Sequence, residues 1–220
     1  MDPVLRGLSV ANIFLDLDGT LIDPAPGITR SFIHTLTTLG LKAPAPEDLT
    51  WVIGPALIDS FARVGAPDPA AALEVYRAQY SKAGLFEARV YDGISEALRG
   101  LSDAGHVLYL ATAKPHVYAR RITAHFGLDE YLTGQFGPEL DGTRNDKGAL
   151  LAHALGVLGL TADSCVMVGD RHHDYDAARA VAMPSIAVTW GFGNAVERAG
   201  AGFVCESPAG LADAVRVATG

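Results

Sequence analysis

Two aspartates near the start of the chain lie one residue apart, in the segment Phe14-Leu15-Asp16-Leu17-Asp18-Gly19-Thr20. They follow an apolar run that begins at Val10. Residues two apart in a strand point to the same side, so we expect both carboxylates to leave the strand together where Gly19 turns the chain. Adjacent carboxylates repel each other unless a positive charge lies beside them, and Mg²⁺ commonly takes oxygen ligands. The alternative is a strand end with acidic turn residues.

Polar side chains also follow two later apolar runs of the chain. Thr112 comes soon after residues 107–110, and Asp170 and Asp174 come soon after residues 165–168. In an open parallel sheet, ligands bind beyond the carboxyl ends of the strands, so we expect these three polar ends to meet. Asp170 and Asp174 can both reach a cation from a loop that opens a helix. Helix capping and a solvated acidic turn are the alternative for this pair.

Thr112 and Lys147 are candidate site residues, and each also has an ordinary structural role as an alternative. Thr112 offers a hydroxyl close to the start of the next helix, and helix N-termini bind anions well. The alternative is that Thr112 caps a helix that begins at Pro115. Lys147 would act as a compact cation if it lay near a phosphate and a carboxylate. The alternative is a surface lysine without a special role.

The elements that would position these residues alternate along the chain. Nearly continuous apolar runs, which suit parallel strands buried on both faces, cover residues 10–15, 107–110, 165–168 and 185–189. Apolar residues recur at helical spacing over 94–101, 117–126, 148–158 and 175–182. Strands that alternate with helices predict an α/β fold, here a three-layer, Rossmann-like parallel sheet with right-handed crossovers.

One segment, from about Pro24 to Arg89, breaks this alternation. It contains three apolar helical faces separated by prolines, and no run typical of a buried strand. The faces are Ile28, Phe32, Leu36 and Leu39; Leu57, Ile58 and Phe61; and Leu73, Val75, Tyr76 and Tyr80. We therefore predict an all-helical insertion over residues 22–89, between two segments of one core domain at residues 1–21 and 90–220.

Composition limits the partners and the compartment. The 220 residues are 49% hydrophobic, and 17 basic against 25 acidic residues give a net charge of −8, which argues against nucleic-acid binding. The apolar run at residues 10–15 is too short for a signal peptide or a membrane span, so we expect a cytoplasmic protein. Cys165 and Cys205 are expected to be reduced core residues, because two cysteines indicate neither a disulfide framework nor a zinc site.

Taken together, the motifs resemble those of the haloacid dehalogenase (HAD) superfamily. The order and spacing of Asp16-x-Asp18-Gly19-Thr20, Thr112, Lys147 and Gly169-Asp170-x3-Asp174 are similar to its four motifs. The helical insertion is similar to its cap domain of the first type. Four further segments resemble a phosphoglycolate-phosphatase-like branch, some of whose members are described as 5′-nucleotidases. These segments are Gly54-Pro55, Tyr91-Asp92-Gly93, Ala113-Lys114-Pro115 and Glu139-Leu140-Asp141-Gly142-Thr143-Arg144.

The resemblance implies a Mg²⁺-dependent phosphatase that hydrolyses a small phosphate monoester through an aspartyl-phosphate. Asp16 would be the nucleophile, Asp18 the general acid and then base, and Thr112 and Lys147 would stabilise the transferred phosphoryl group. The expected metal site comprises Asp16, Asp18, Asp170 and Asp174. The residues expected to bind the substrate are Gly19, Thr20, Ala113, Lys114, Gly54, Arg63 and Arg144.

The motifs do not define the substrate. A phosphoglycolate-like molecule and a nucleoside monophosphate both remain open, and the expected partner is a small phosphorylated metabolite bound by a monomer or homodimer. Dehalogenases of the superfamily typically lack an acidic residue at the position of Asp18, so Asp18 favours phosphoryl chemistry. A sugar phosphomutase would use the same two carboxylates and is an alternative. A non-catalytic phosphate-binding protein is another, because fold does not fix function.

Overall fold

The structure is a computed structural model, and it describes residues 10–220. Its strands are β1 (Asn12–Leu15), β2 (Ile22–Asp23), β3 (Arg89–Val90), β4 (Val107–Ala111), β5 (Gly134–Phe136), β6 (Cys165–Gly169), β7 (Ser185–Val188) and β8 (Phe203–Cys205). Its α-helices are α1 (Ala25–Thr38), α2 (Leu57–Arg63), α3 (Pro69–Gln79), α4 (Ile94–Asp103), α5 (His116–His125), α6 (Lys147–Leu158), α7 (His172–Ala180), α8 (Ala195–Arg198) and α9 (Leu211–Thr219).

Six of the strands form one parallel sheet in the order β5-β4-β1-β6-β7-β8. The strand that carries the first acidic motif, β1, therefore lies between β4 and β6. The register pairs Leu15 with Leu110 on one side and with Val168 on the other. The predicted α/β fold with a Rossmann-like parallel sheet is confirmed, and the four apolar runs each form a strand of this sheet.

Both faces of the sheet are buried, which explains why the apolar runs are continuous. Ile13 and Leu15 pack on one face in a core that includes residues of α4, α5 and α9. Phe14, which points the opposite way, packs in a second core with residues of α6 and α7. An alternating pattern would have left one of these faces polar. Cys165 and Cys205 are buried without a disulfide, as expected.

The segment at residues 25–84, called the helical segment below, consists of helices that pack mainly on one another. It contains α1, α2 and α3, a 3₁₀ helix at Pro46–Val52 and a π-helical turn at Tyr80–Gly84. Phe32 of α1 stacks on Phe61 of α2 with ring centroids 4.6 Å apart. The antiparallel pair β2–β3 joins the two ends of this segment. The predicted domain boundaries stay predictions, and residues 1–9 of the predicted core lie outside the described residues.

Two strands of the sheet, β5 and β8, were absent from our sequence prediction. Each has only three residues and lies at an edge of the sheet. A run of three residues is too short to display a strand pattern, and none of the β5 residues is fully buried. Across residues 10–220, no helix combines the length and the apolar character needed to cross a membrane.

Candidate active site

The polar ends of β1, β4 and β6 meet at the carboxyl edge of the sheet. Because Leu15 lies level with Leu110 and Val168, the residues that follow these strands lie side by side. The backbone N–H of Asp16 donates to the carbonyl of Val168 (2.9 Å), which extends the ladder to the first acidic residue. Asp16, Asp170 and Asp174 each offer a carboxylate oxygen within 4.8 Å of the others. These three carboxylates are therefore brought together as predicted.

Lys147 lies among these carboxylates. It is the first residue of α6, its side chain is 8% exposed, and its Nζ lies 2.8 Å from Oδ1 of Asp16 and also contacts Oδ1 of Asp174. Burial alone would lower the pKa of Lys147, but the carboxylates of Asp16 and Asp174 outweigh burial and raise it. Lys147 therefore stays charged in the resting site. The alternative of a surface lysine is wrong.

Asp170 is the least satisfied carboxylate of the group. It is fully buried, Oδ2 accepts from the Phe192 N–H (2.7 Å), and Oδ1 has no hydrogen-bond partner among the described residues. Burial and the neighbouring carboxylates of Asp174 and Asp16 raise its pKa well above the usual range. A solvated acidic turn is therefore wrong for Asp170. A buried carboxylate oxygen without a partner is costly, and the site fits a hard cation that would satisfy it.

Asp174 links the acidic group to helix α7. Its Oδ1 contacts Lys147, and its Oδ2 accepts from the backbone N–H of Arg171 at 3.0 Å, so it also caps α7. Burial raises the pKa of Asp174 to about 6, with Lys147 lowering it and Asp16 raising it. Both oxygens thus have partners within the chain, whereas Asp170 keeps one oxygen free. The helix-capping alternative is therefore correct for Oδ2 of Asp174, but Oδ1 of the same side chain also contacts Lys147 in the acidic group.

Gly19 allows the loop after β1 to approach this acidic group. Its φ is +84°, in the left-handed region that favours glycine, and a Cβ there would lie 2.3 Å from Oδ2 of Asp170. Its own N–H donates to the carbonyl of Ile22 (2.8 Å) within the turn. The sequence Asp18-Gly19 is therefore explained by the turn and by the close approach to Asp170.

Asp18 lies beside a second buried cation. The Nζ of Lys114 is 2.9 Å from Oδ2 of Asp18, and the two side chains are 5% and 12% exposed. Oδ1 of Asp18 is buried and has no hydrogen-bond partner among the described residues. Burial raises the pKa of the Asp18 carboxyl, and Lys114 partly offsets this rise. The same lysine donates to the hydroxyl of Tyr80 (2.9 Å), which belongs to the helical segment.

Thr112 occupies the end of β4, next to Lys114. Its side chain is buried, and Oγ1 accepts from the backbone N–H of Lys114 at 3.2 Å. Helix α5 starts at His116 with Pro115 as its N-cap and has no side-chain capping bond. The alternative that Thr112 caps this helix is therefore wrong, and its hydroxyl instead shapes the turn after β4.

A cavity lies between the carboxyl edge of the sheet and the helical segment. The predicted residues that line it are Asp16, Asp18, Gly54, Thr112, Ala113, Lys114, Lys147 and Asp174. The helical segment contributes apolar and aromatic residues to the same walls, namely Ile28, Val52, Leu57, Ile58, Leu73, Tyr76 and Tyr80. The cavity is therefore charged at the sheet and mostly apolar on the opposite wall.

Four of the predicted substrate-binding residues lie outside the cavity lining. Gly19 forms the turn described above, and the carbonyl of Thr20 accepts from Nε1 of Trp190 (3.0 Å). Arg63 stacks over the ring of Trp51 at 4.1 Å from its centroid. Arg144, at a φ of 64°, pairs with Glu139 at 2.7 Å. The two arginines therefore pair locally and are not brought to the acidic group.

Sequence reasoning missed several residues that line the cavity: Tyr80, Arg77, Asn145, Arg171 and His173. Arg171 and His173 lie inside the motif around Asp170, but neither is among the site residues predicted from the sequence. Tyr80 was recognised only as part of an apolar helical face. Its contact with Lys114 joins residues 34 apart, and spacing along the chain gives no signal for it.

Comparison with known proteins identifies relatives that match most of the chain. A model of the family described as haloacid dehalogenase-like hydrolase matches residues 13–188. A 5′-nucleotidase of Pseudomonas aeruginosa is 45% identical over 190 residues, covering 85% of this chain and 86% of the relative. The tyrosine-protein kinase PtkA of Mycobacterium tuberculosis is 40% identical over 190 residues, covering 86% of this chain but only 65% of the kinase. A crystal structure of a predicted phosphatase from Clostridium acetobutylicum matches with a TM-score of 0.88 and 36% identity, covering 94% of this chain and 99% of that one.

Proposed function

Because the chain belongs to the haloacid dehalogenase-like hydrolase family and is a phosphoric monoester hydrolase, we propose that it works through an aspartyl-phosphate on Asp16. One observation carries the proposal. The carboxylate of Asp16 lies beside the ammonium of Lys147 and two further buried carboxylates, at the wall of a cavity that also exposes Asp18 and Thr112. A nucleophile, a cation and a proton carrier are thus available to one bound phosphate ester.

The reaction divides into two transfers. In the first, an oxygen of Asp16 bonds to phosphorus, the bond from phosphorus to the leaving oxygen breaks, and Asp18 gives a proton to that oxygen. In the second, Asp18 takes a proton from a water molecule that attacks phosphorus, and inorganic phosphate leaves Asp16. Lys147 offsets negative charge during both transfers, and Thr112 with neighbouring N–H groups holds phosphoryl oxygens.

The acidic group fits Mg²⁺, as the free oxygen of Asp170 indicates. The carboxylates of Asp16 and Asp170 and the backbone carbonyl of Asp18 would hold the ion. Asp174, whose oxygens contact Lys147 and the Arg171 N–H, would support that site. A bound Mg²⁺ would supply positive charge that reduces the repulsion between a carboxylate nucleophile and a phosphate ester.

We expect Mg²⁺ to raise the melting temperature of the protein in the absence of any substrate. The ion would relieve the repulsion among buried carboxylates, and at 100 times its Kd it would add about 2.7 kcal/mol, or about 5–10 °C. Thermal unfolding with and without MgCl₂ measures this shift. Asp170→Asn should remove most of it, whereas Asp176→Asn, which changes an exposed partner of Arg179, should keep it. A wild-type protein that does not respond to saturating Mg²⁺ would contradict the metal site.

We further propose that residues 22–89 form a cap domain over a core made of residues 1–21 and 90–220. The contacts across this boundary support the proposal. Nη1 of Arg171 donates to the carbonyl of Ile53 (2.7 Å), and Nη2 of Arg77 donates to the carbonyl of Leu140 (3.0 Å). The boundary itself falls at the short pair β2–β3. A cap held in this position excludes water from the phosphoryl group.

The charges of the cavity favour a substrate whose leaving group is neutral. Each lysine and arginine that lines the cavity in the described chain already contacts a carboxylate. These pairs are Lys114 with Asp18, Lys147 with Asp16, Arg171 with Glu197 and Arg77 with Glu74. A second anionic group, such as the carboxylate of phosphoglycolate, would face paired cations and an apolar wall. We therefore propose a nucleoside monophosphate or a comparable ester rather than phosphoglycolate.

Nucleoside monophosphates are expected to give a kcat/KM at least about tenfold above that of phosphoglycolate, since burial of one unpaired charge costs more than about 1.4 kcal/mol. Phosphate release from a panel of esters in Mg²⁺ measures both values. Preference for phosphoglycolate would contradict the argument from charge while leaving the hydrolase intact. If no ester in the panel released phosphate and the phosphoryl group passed instead to a sugar acceptor, the chain would be a phosphomutase.

A further inference from the structure

We propose that Lys114 and Tyr80 are positioning residues for Asp18. Lys114 holds one oxygen of the Asp18 carboxylate, and Tyr80 holds Lys114 from the helical segment, which leaves the other oxygen of Asp18 free to exchange the proton. This inference rests on the proposed function, because it takes the proton transfer by Asp18 as given. It assigns to Lys114 a contact with the general acid Asp18 rather than with the substrate. It also makes the position of that acid depend on Tyr80, a residue of the helical segment.

The two carboxylate oxygens of Asp18 have different contacts, and this difference is the observation on which the proposal rests. Oδ2 lies 2.9 Å from the ammonium of Lys114, whereas Oδ1 is buried without a hydrogen-bond partner among the described residues. When Cβ and one oxygen of a carboxylate are both held in place, the plane of the carboxylate is fixed, and so is the position of its other oxygen. Accurate placement of the proton carrier is a large part of efficient proton transfer.

Lys114 is itself fixed by Tyr80. Its Nζ donates to the Tyr80 hydroxyl at 2.9 Å and lies 4.9 Å from the centre of the same ring. Without that hydroxyl, the long lysine side chain would keep only Asp18 as a hydrogen-bonding side-chain partner among the described contacts. Both Lys114 and Tyr80 are buried, so water does not compete for these hydrogen bonds.

The helical segment holds Tyr80 in place. Within the segment, the Tyr80 ring stacks on Tyr76 with centroids 5.3 Å apart; across the cavity, it meets Tyr118 of α5 edge-on at 5.8 Å. Tyr80 also begins the π-helical turn that ends at Gly84, where a Cβ would meet Oγ of Ser31 at 2.5 Å. Because this turn packs against α1 of the same segment, Tyr80 moves with the helical segment and reaches Lys114 only when that segment covers the sheet edge. Correct placement of Asp18 is therefore coupled to the position of the helical segment.

The first test compares two esters in the full-length enzyme with Mg²⁺. Benzyl phosphate has an alcohol leaving group that needs a proton, whereas 2,4-dinitrophenyl phosphate has a leaving group that does not. The kcat/KM of each ester reports the steps up to departure of the leaving group. We expect Tyr80→Phe to lower kcat/KM for benzyl phosphate about tenfold, as loss of a hydrogen bond to a charged group implies. The same variant should lower it less than about threefold for the dinitrophenyl ester.

Lys114→Met should have a larger effect of the same kind, about 100-fold on the benzyl ester, because it removes both contacts at once. Tyr80→Phe keeps the test valid if Lys114→Met fails to fold. Tyr109→Phe is the matched control, because Tyr109 is a buried tyrosine that stacks on Phe14 within the sheet and does not line the cavity. It should leave the ratio of the two kcat/KM values unchanged.

A second test asks whether Tyr80 acts through Asp18. In the Asp18→Asn background, Tyr80→Phe should cost less than about twofold, because the group that it positions is already lost. Equal losses on both esters, or full additivity of the two substitutions, would overturn the proposal and indicate a role in phosphate binding or in folding. If Asp18→Asn itself left the ester ratio unchanged, the proposed proton transfer would be wrong. If only the Lys114 and Tyr80 variants left it unchanged, this inference alone would fail.

Discussion

Asp16→Asn is expected to lower phosphate release by about 10⁴-fold or more while the protein remains folded. The carboxamide keeps the shape of the side chain but is a poor nucleophile, and no other carboxylate among the described residues shares its place directly after β1. Asp18 is committed to Lys114, and Asp170 and Asp174 follow a different strand. The measurement is kcat for phosphate release in saturating Mg²⁺ with the best ester of the panel.

The fold should tolerate this change because Lys147 keeps a second partner. Its ammonium still contacts Asp174 when the Asp16 charge is removed, and one repulsive carboxylate is lost from a buried group. Circular dichroism and thermal unfolding should therefore match the wild type within a few degrees. Asp176→Asn serves as the control, since its carboxylate is exposed and, among the described residues, forms an ion pair only with Arg179. Near-normal, metal-dependent turnover by Asp16→Asn would mean that another group is the nucleophile.

The convergence of the acidic residues could be predicted because it follows from strand register. Parallel strands end at one edge, so Asp16 after β1 and Asp170 after β6 had to lie close once both apolar runs were recognised as strands. The predicted strands and helices between residues 94 and 189 are present for the same reason: their apolar patterns are long. The strands β5 and β8 were missed because three residues do not make a pattern.

Contacts made by the helical segment could not be predicted in the same way. Its helices were recognised from their apolar faces, but a face does not specify which core residue it meets. Tyr80 looked like part of a hydrophobic face, but its hydroxyl accepts a hydrogen bond from the ammonium of Lys114. Arg63 was a candidate for substrate binding because it lies in the predicted helical insertion, and Arg144 was a candidate because it lies close to Lys147 in the sequence. Each has a closer local partner, Trp51 and Glu139, that spacing alone did not reveal.

Burial changes the meaning of several residues that sequence reasoning treated as ordinary. Lysines are usually exposed, but Lys147 is buried. Its contacts with the carboxylates of Asp16 and Asp174 offset the free-energy cost of removing its charge from water. The same holds for Lys114, whose charge is matched by Asp18. The cavity therefore contains charges of both signs in contact, and this pairing underlies the expected preference for neutral leaving groups.

Asp18→Asn is expected to lower kcat/KM by about 10²–10⁴-fold for an ester with an alcohol leaving group. An alkoxide departs slowly unless it receives a proton, and an amide side chain does not supply one. For 2,4-dinitrophenyl phosphate, the same substitution should lower kcat/KM far less, because that leaving group departs without a proton. The ratio of the two values, measured in saturating Mg²⁺, isolates the proton transfer from any general disturbance of the site.

The structure also predicts that Asp18→Asn lowers the stability of the fold, and the control variant must allow for this effect. Asparagine keeps an oxygen for Lys114 but leaves that buried ammonium without a charged partner, so some loss of stability is expected. Asp176→Asn is a suitable comparison, because Asp176 also pairs with a cation, Arg179, but at an exposed place outside the cavity. It should leave the ester ratio unchanged. Equal losses of kcat/KM on both esters in Asp18→Asn would mean that Asp18 shapes the site without carrying the proton.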